Sequence, residues 1–279
     1  MGDQENNIQK DNLPEDTGSS SGEELTPHPP AYPRKNMEYL FINARYEKYA
    51  GSAYNEELIE KNGIRRFLTL DLYLKDRASI FKNIVTGGHL RPAIFNSLLA
   101  AIVISFIYGA VMGFFAGGAQ VLYSALKFPI AVVACYFICL PTFYIFSSIL
   151  SSRYSIAQSM AILLCMTVPA VLLLLGFAPI VWFFSISTGT AGFMFLLHGI
   201  VFAIATAFGI LYLYDCVGYI NYISKGAGDT NMAFLNVWMV IYLTVQCQLL
   251  SYLGPFISAG EKMFIFRKGF FTEALKGIF

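Results

Sequence analysis

The sequence predicts an all-α, polytopic transmembrane helix bundle of about five spans with flanking amphipathic helices. Three observations predict it. Hydrophobic residues make up 56% of the 279 positions and charged residues only 13%, against about a quarter charged in an ordinary soluble domain. Lys and Arg are common before residue 92 and after 260 and scarce between. Five apolar runs each approach or exceed the roughly 20 residues that cross a hydrocarbon core of about 30 Å.

Residues 1–35 are polar and mostly acidic, with Asp3, Glu5, Asp11, Glu15, Asp16, Glu23 and Glu24, a Ser19–Gly22 run, and Pro27, Pro29, Pro30 and Pro33. They are too poor in apolar surface to offset their ordering entropy and are expected to form a disordered tail. They hold no apolar signal-peptide core, and Asn6 stands where a myristoylation signal needs Ser or Thr. Pro29-Pro30-Ala31-Tyr32 matches the Pro-Pro-x-Tyr pattern of ligands for WW domains. Four residues in a Pro-rich tail also arise by chance, and that is the preferred reading.

Residues 36–91 change character. Met37, Leu40, Phe41 and Ala44, then Phe67, Leu70, Leu74, Phe81 and Val85, recur at helical spacing between charges. They predict short amphipathic helices that either lie in the headgroup plane or pack on the cytoplasmic end of the bundle. The membrane domain is expected over 92–254. Its runs are Pro92–Phe115, Phe128–Leu150, Ala157–Phe184, Ala191–Tyr214 and Ala233–Leu253, joined by Ala116–Lys127, Ser151–Ile156, Ser185–Thr190 and Asp215–Met232. A soluble bundle would show a polar face through these runs, and they show none. Residues 255–279 predict an amphipathic tail, with Met263, Phe266, Phe270, Ala274 and Ile278 near one face and Lys268, Glu273 and Lys276 on the other.

Gly109-x-x-x-Gly113-x-x-x-Gly117 ends the first run, and Gly199-x-x-x-Ala203-x-x-x-Ala207 lies in the fourth. Small residues at this spacing leave a groove that lets another backbone approach. The expected use is packing of the first span against the fourth within one chain; homo-oligomerisation is the alternative. Pro141 in the second run and Pro169 and Pro179 in the third predict kinks. Such prolines are common in membrane helices, although broken helices also bind substrates in transporters.

Ionisable residues inside spans mark transport paths, and here they are scarce. His198 is the exception, read as a neutral imidazole hydrogen-bonded to a backbone carbonyl in preference to a proton-sensitive group. Gln246, Gln248, Asn96 and Gln158 are expected to make interhelical hydrogen bonds. Cys135, Cys139, Cys165, Cys216 and Cys247 lie in apolar runs and read as small buried hydrophobes. Cys135 and Cys139 share a helix face, yet two thiols without a His or carboxylate nearby make a poor metal site. No phosphate loop, His-Glu-x-x-His or nucleophile elbow occurs in a fitting context. A net charge of +1 with no basic run gives no case for nucleic acid. No enzymatic activity, cofactor or metal is expected.

Ala125-Leu126-Lys127-Phe128-Pro129 leading to Cys139-Leu140-Pro141, then Ser151-Ser152-Arg153, and the run Phe177 to Ser185 complete the picture. With a polar tail followed by five close-packed spans, they give residues 80–255 a layout that resembles the Yip1 superfamily of membrane proteins. Similar runs resemble prokaryotic multi-pass proteins, some labelled actin-binding; the chain shows no convincing actin-binding segment, Leu275-Lys276-Gly277-Ile278 matching only a fragment of one. The Asp-Leu-x-Gly-Pro type motif of eukaryotic Yip1 proteins has no counterpart, so the resemblance implies architecture and transfers no site residue.

These readings converge on a non-enzymatic multi-pass scaffold or accessory protein. Its partners would be membrane lipids and proteins reached through the N-terminal region. The alternative is a channel or transporter subunit with a path along the Pro-kinked second and third spans. Lys75, Arg77, Lys82 and Arg91 flank the first span, and Arg153 and Lys225 fall on the same side, which predicts a cytoplasmic N-terminus. Lys127 is expected on the other side. Lys262, Arg267, Lys268 and Lys276 in the tail oppose an odd number of spans. Whether the membrane is a plasma membrane or an endomembrane stays open.

Overall fold

The computed structural model describes residues 45–51, 73–149, 154–224 and 232–253, and among them there is no strand. The polar tail 1–35 and the amphipathic region 255–279 lie outside the described residues. A helical stretch at 45–51 and a single turn at 73–75 precede six longer helices. These are α1 (Arg77–Thr86), α2 (Leu90–Phe114), α3 (Ala119–Ile149), α4 (Ile156–Ser187), α5 (Ala191–Ser224) and α6 (Met232–Leu253). Five of them, α2 to α6, are long and apolar enough to cross a membrane.

Local chemistry sets the helix ends. Asp76 caps α1 by accepting from Ser79 N at 3.2 Å and Ser79 Oγ at 2.7 Å. Gly87, at φ 74°, closes the same helix by donating to Asn83 O. Buried Asn83 then accepts from His89 N at 3.1 Å and fixes the turn into α2. Pro92 lies in the first turn of α2, where its missing N–H costs nothing. Ser155 and Gln158 form a reciprocal capping box on α4. Gln158 Nε2 also reaches Ile84 O at 3.0 Å and ties α4 to α1.

The helices pair as hairpins, α2 with α3 and α4 with α5, while α4 also lies along α2 and α6 rests mainly on α3. The most apolar window of α4 is 61% buried and that of α6 only 22%, so α4 is the central helix and α6 the peripheral one. The reason is compositional: Met160 to Phe184 holds no charged residue and few polar ones, and a helix apolar all round gains most from a central position. Pro129, Pro141, Pro169 and Pro179 all sit inside continuous helices. We call the end that carries α1, the start of α2 and the finish of α5 the near end, and the opposite end the far end.

Two boundaries differ from expectation. α3 begins at Ala119, not Phe128, because Gly117 and Gly118 make the turn at φ 70° and 57° and the following Ala119–Lys127 run contains no helix breaker. Lys127 is therefore a buried side chain within α3, not a far-side loop residue. α5 continues past Tyr214 to Ser224. At about 1.5 Å per residue its 34 residues reach about 51 Å, against about 30 Å of hydrocarbon.

Candidate functional site

The near end gathers charge and aromatic surface around α5. Arg45 Nη1 donates to Asp215 Oδ1 at 2.7 Å, and Arg77 Nη1 to Asp215 Oδ2 at 3.1 Å. The Asp215 side chain is 14% exposed, while those of Arg45 and Arg77 are 56% and 34% exposed. Arg77 also stands over the Tyr212 ring, 5.1 Å from its centroid. Tyr212 donates to Tyr73 O at 3.2 Å, and the Tyr73 hydroxyl lies 3.2 Å from Ser97 Oγ on α2. Tyr46, Tyr49, Phe81, Tyr219 and Tyr222 add tilted and edge-on ring contacts. Gly218 makes room for this packing, since a Cβ there would collide with the Tyr46 hydroxyl.

Burial, reinforced by the Asp215 carboxylate, pushes the Tyr46 phenol up to about 12. Burial likewise raises Tyr73 well above its ordinary value. Both therefore stay neutral at physiological pH. Sequence reasoning placed amphipathic helices here and located Asp215 just past a span. It did not find the partnership with Arg45 and Arg77 or the role of Gly218. One signal was available: a lone acid beside a span, followed by Gly218, Tyr219 and Tyr222 at helical spacing.

The polar residues singled out inside the spans fall in separate places. His198 is buried on α5 with its Nδ1 3.1 Å from the Tyr108 hydroxyl of α2, so its partner is a phenol and not the expected backbone carbonyl. Phe202 packs edge-on and Phe128 tilted against Tyr108. Gln246 Nε2 donates to Thr206 Oγ1 at 3.2 Å and joins α6 to α5. Gln248 Oε1 is buried and makes no hydrogen bond to a described residue. Trp238 anchors the start of α6 on α3, donating to Thr142 Oγ1 at 3.3 Å and packing edge-on against Phe143.

A cavity of about 40 Å³ lies among α3, α4, α5 and α6. Thr167, Thr206, Tyr242 and Gln246 supply its polar lining, and Phe128, Val171, Leu174 and Phe202 are among its apolar walls. It would hold about three waters at 10–15 Å³ each. His198 does not line it. Cys135 does, whereas Cys247 faces outward rather than being buried. Among the described residues, no three His, Cys, Asp or Glu side chains converge as a metal site needs.

The small-residue strips divide. A Cβ on Gly109 would meet Ser124 O at 2.6 Å and Phe128 Cβ at 2.8 Å. One on Gly113 would meet Gln120 O and Val121 Cα at 2.7 Å. Both glycines thus accept the backbone of α3, the hairpin partner, and not the fourth span. Gly117 belongs to the turn. Gly199, Ala203 and Ala207 are exposed on the outer face of α5, with nothing within 4 Å of a Cβ at Gly199. The expected packing of the first span on the fourth through these two strips is therefore corrected. The small residues that α5 buries in its membrane half include Ala205 and Gly209, and a Cβ on Gly209 would meet Met166 O of α4 at 2.6 Å. The two registers differ by two residues, about 200° of helix rotation.

The fold and these sites define an integral, multi-pass, all-α membrane protein with five candidate spans. No family model matches the chain, and no curated protein or solved structure is significantly similar to it.

Proposed function

We propose that the chain is a non-enzymatic membrane scaffold or accessory protein, resembling the Yip1 superfamily in layout, that presents its pre-span region to protein partners on the cytoplasmic side. One observation carries this reading: Asp215, in the last turns of α5, holds Arg45 and Arg77 together. Residues 45–51 and α1 are thereby tied to α5 as a platform. Its outer surface includes Glu47 and Lys48. Orientation is supported by charge. The described near-end residues include Arg45, Lys48, Lys75, Lys82 and Arg91, while the far-end turns at 115–118 and 188–190 carry no charge.

The test is site-specific photocrosslinking in native membranes. Probes at Glu47 and Lys48 should yield discrete protein adducts that Asp215→Asn abolishes, while a probe at outward-facing Ile200 should yield lipid adducts. A chain that crosslinks only to lipid from all three positions is not a scaffold.

The second reading, a channel or transporter subunit, rests on the cavity beside the Gln246–Thr206 pair. Purified protein in liposomes distinguishes the two. The scaffold gives solute and ion flux no greater than empty liposomes. Flux that disappears on Gln246→Leu favours the transporter.

A further inference from the structure

We propose that the near-end rim binds the phosphate headgroups of anionic phospholipids, with Arg91, exposed Lys48 and the Arg45–Asp215–Arg77 triad as its contact points. The described near-end residues hold six basic side chains, Arg45, Lys48, Lys75, Arg77, Lys82 and Arg91, against three acidic ones, Glu47, Asp76 and Asp215. Asp76 is engaged in capping α1. Asp215 offers one carboxylate to two guanidiniums, so the triad keeps a net positive charge with both carboxylate oxygens already occupied. Each guanidinium has five N–H donors and spends one of them on Asp215 in these bonds. A phosphate diester is the oxyanion whose geometry suits the remainder.

Depth selects a lipid over a soluble anion. Arg91 and Phe95 stand four residues apart on one face of α2, and both are exposed. Such a face offers charge at headgroup level and an aromatic ring one turn deeper, where an acyl chain lies. Leu74 beside Lys75 repeats the combination, with Leu74 61% exposed. A rim that merely faces water would not set large apolar side chains beside its charges. Arg91 also stands in the first turn of α2, where His89 gives no side-chain cap. A cation there opposes the helix dipole, and an anion bound beside it relieves both.

This inference rests on the reading above only in setting the near end within one headgroup layer; it needs no protein partner. The full chain, extracted in mild detergent with equal phosphatidylglycerol and phosphatidylcholine, is examined by native mass spectrometry for retained lipid. The wild type should retain phosphatidylglycerol preferentially. Arg91→Gln, whose side chain is exposed, should lower that preference about fivefold, as should Lys48→Gln. Inorganic phosphate in large excess should leave the retained lipid in place. Equal retention of the two lipids by the wild type overturns the proposal. So does a preference unchanged in Arg91→Gln and Lys48→Gln, or complete displacement by inorganic phosphate, which would identify a soluble anion instead. Loss of lipid preference with platform crosslinks intact separates failure here from failure of the scaffold reading.

Discussion

Asp215 carries two guanidiniums on one carboxylate, so its removal leaves part-buried Arg77 facing exposed Arg45 with no anion between them. Asp215→Asn should cost about 1–3 kcal/mol, seen as a lower melting temperature in detergent, while exposed Glu47→Gln should change little. Tyr46 gives a pH signature. Its phenol titrates at about 12 in the folded protein and near 10 in an unfolded chain. The folded state therefore holds the proton more tightly. Stability is retained below about pH 10 and falls as pH rises through the folded value. Tyr46→Phe should flatten part of that alkaline loss in melting curves recorded between pH 9 and 12. Little of this was legible beforehand. Residue types announce polar groups near spans, but the Arg45–Asp215 and Tyr108–His198 pairings join positions far apart in sequence that only the packing brings together.

Small residues decide how close the helices come. Gly109 and Gly113 let α2 and α3 pack backbone to backbone, and association in lipid depends on such contact area. Gly113→Leu should destabilise the protein by several kcal/mol, as overpacking against a backbone does. Gly199→Leu, on an open face, should have little effect; the check is monodisperse yield and melting in the same detergent. If Gly199→Leu proves equally damaging, a second copy covers that face. The spacing of the strips was legible, their facing was not. α5 is apolar around its whole circumference, so no polar stripe distinguishes the 199–203–207 register from the 205–209 register. Hydropathy likewise locates the hydrocarbon and not the helix ends. Ala119–Lys127 is polar enough to read as a loop, and the near-end turns of α5 were missed for the same reason.

The five-span bundle itself was legible because length and apolarity are physical requirements for crossing a bilayer, independent of any pairing. The central position of α4 follows from its composition, although the sequence reading did not draw that conclusion. With α2 to α6 all spanning, position 88 and the α4–α3 and α5–α6 connections lie on one side, and the turns at 115–118 and 188–190 on the other. Reporter insertions after Gly88 and within 225–231 should be cytoplasmic. Insertions at Gly118 and Gly189 should be on the opposite side. Signal from the same side at Gly88 and Gly118 would remove α2 from the membrane.

α5 is one unbroken helix from Ala191 to Ser224, so a tilt of its membrane portion would be transmitted to its last turns. A helix whose apolar length exceeds the local hydrocarbon thickness tilts, typically by about 20°. The stretch from Asp215 to Ser224 is about 14 Å long, and such a tilt swings its tip sideways by about 5 Å. Tyr46 and Tyr219 are bonded into that arm through their ring contacts and would travel with it. Such a tilt would carry membrane thickness into the attitude of residues 45–51, which Asp215 holds through Arg45. Paired fluorophores at Lys48 and Thr86, read in short-chain and long-chain lipid vesicles, should report different separations; identical separations would mean the bundle absorbs the mismatch elsewhere.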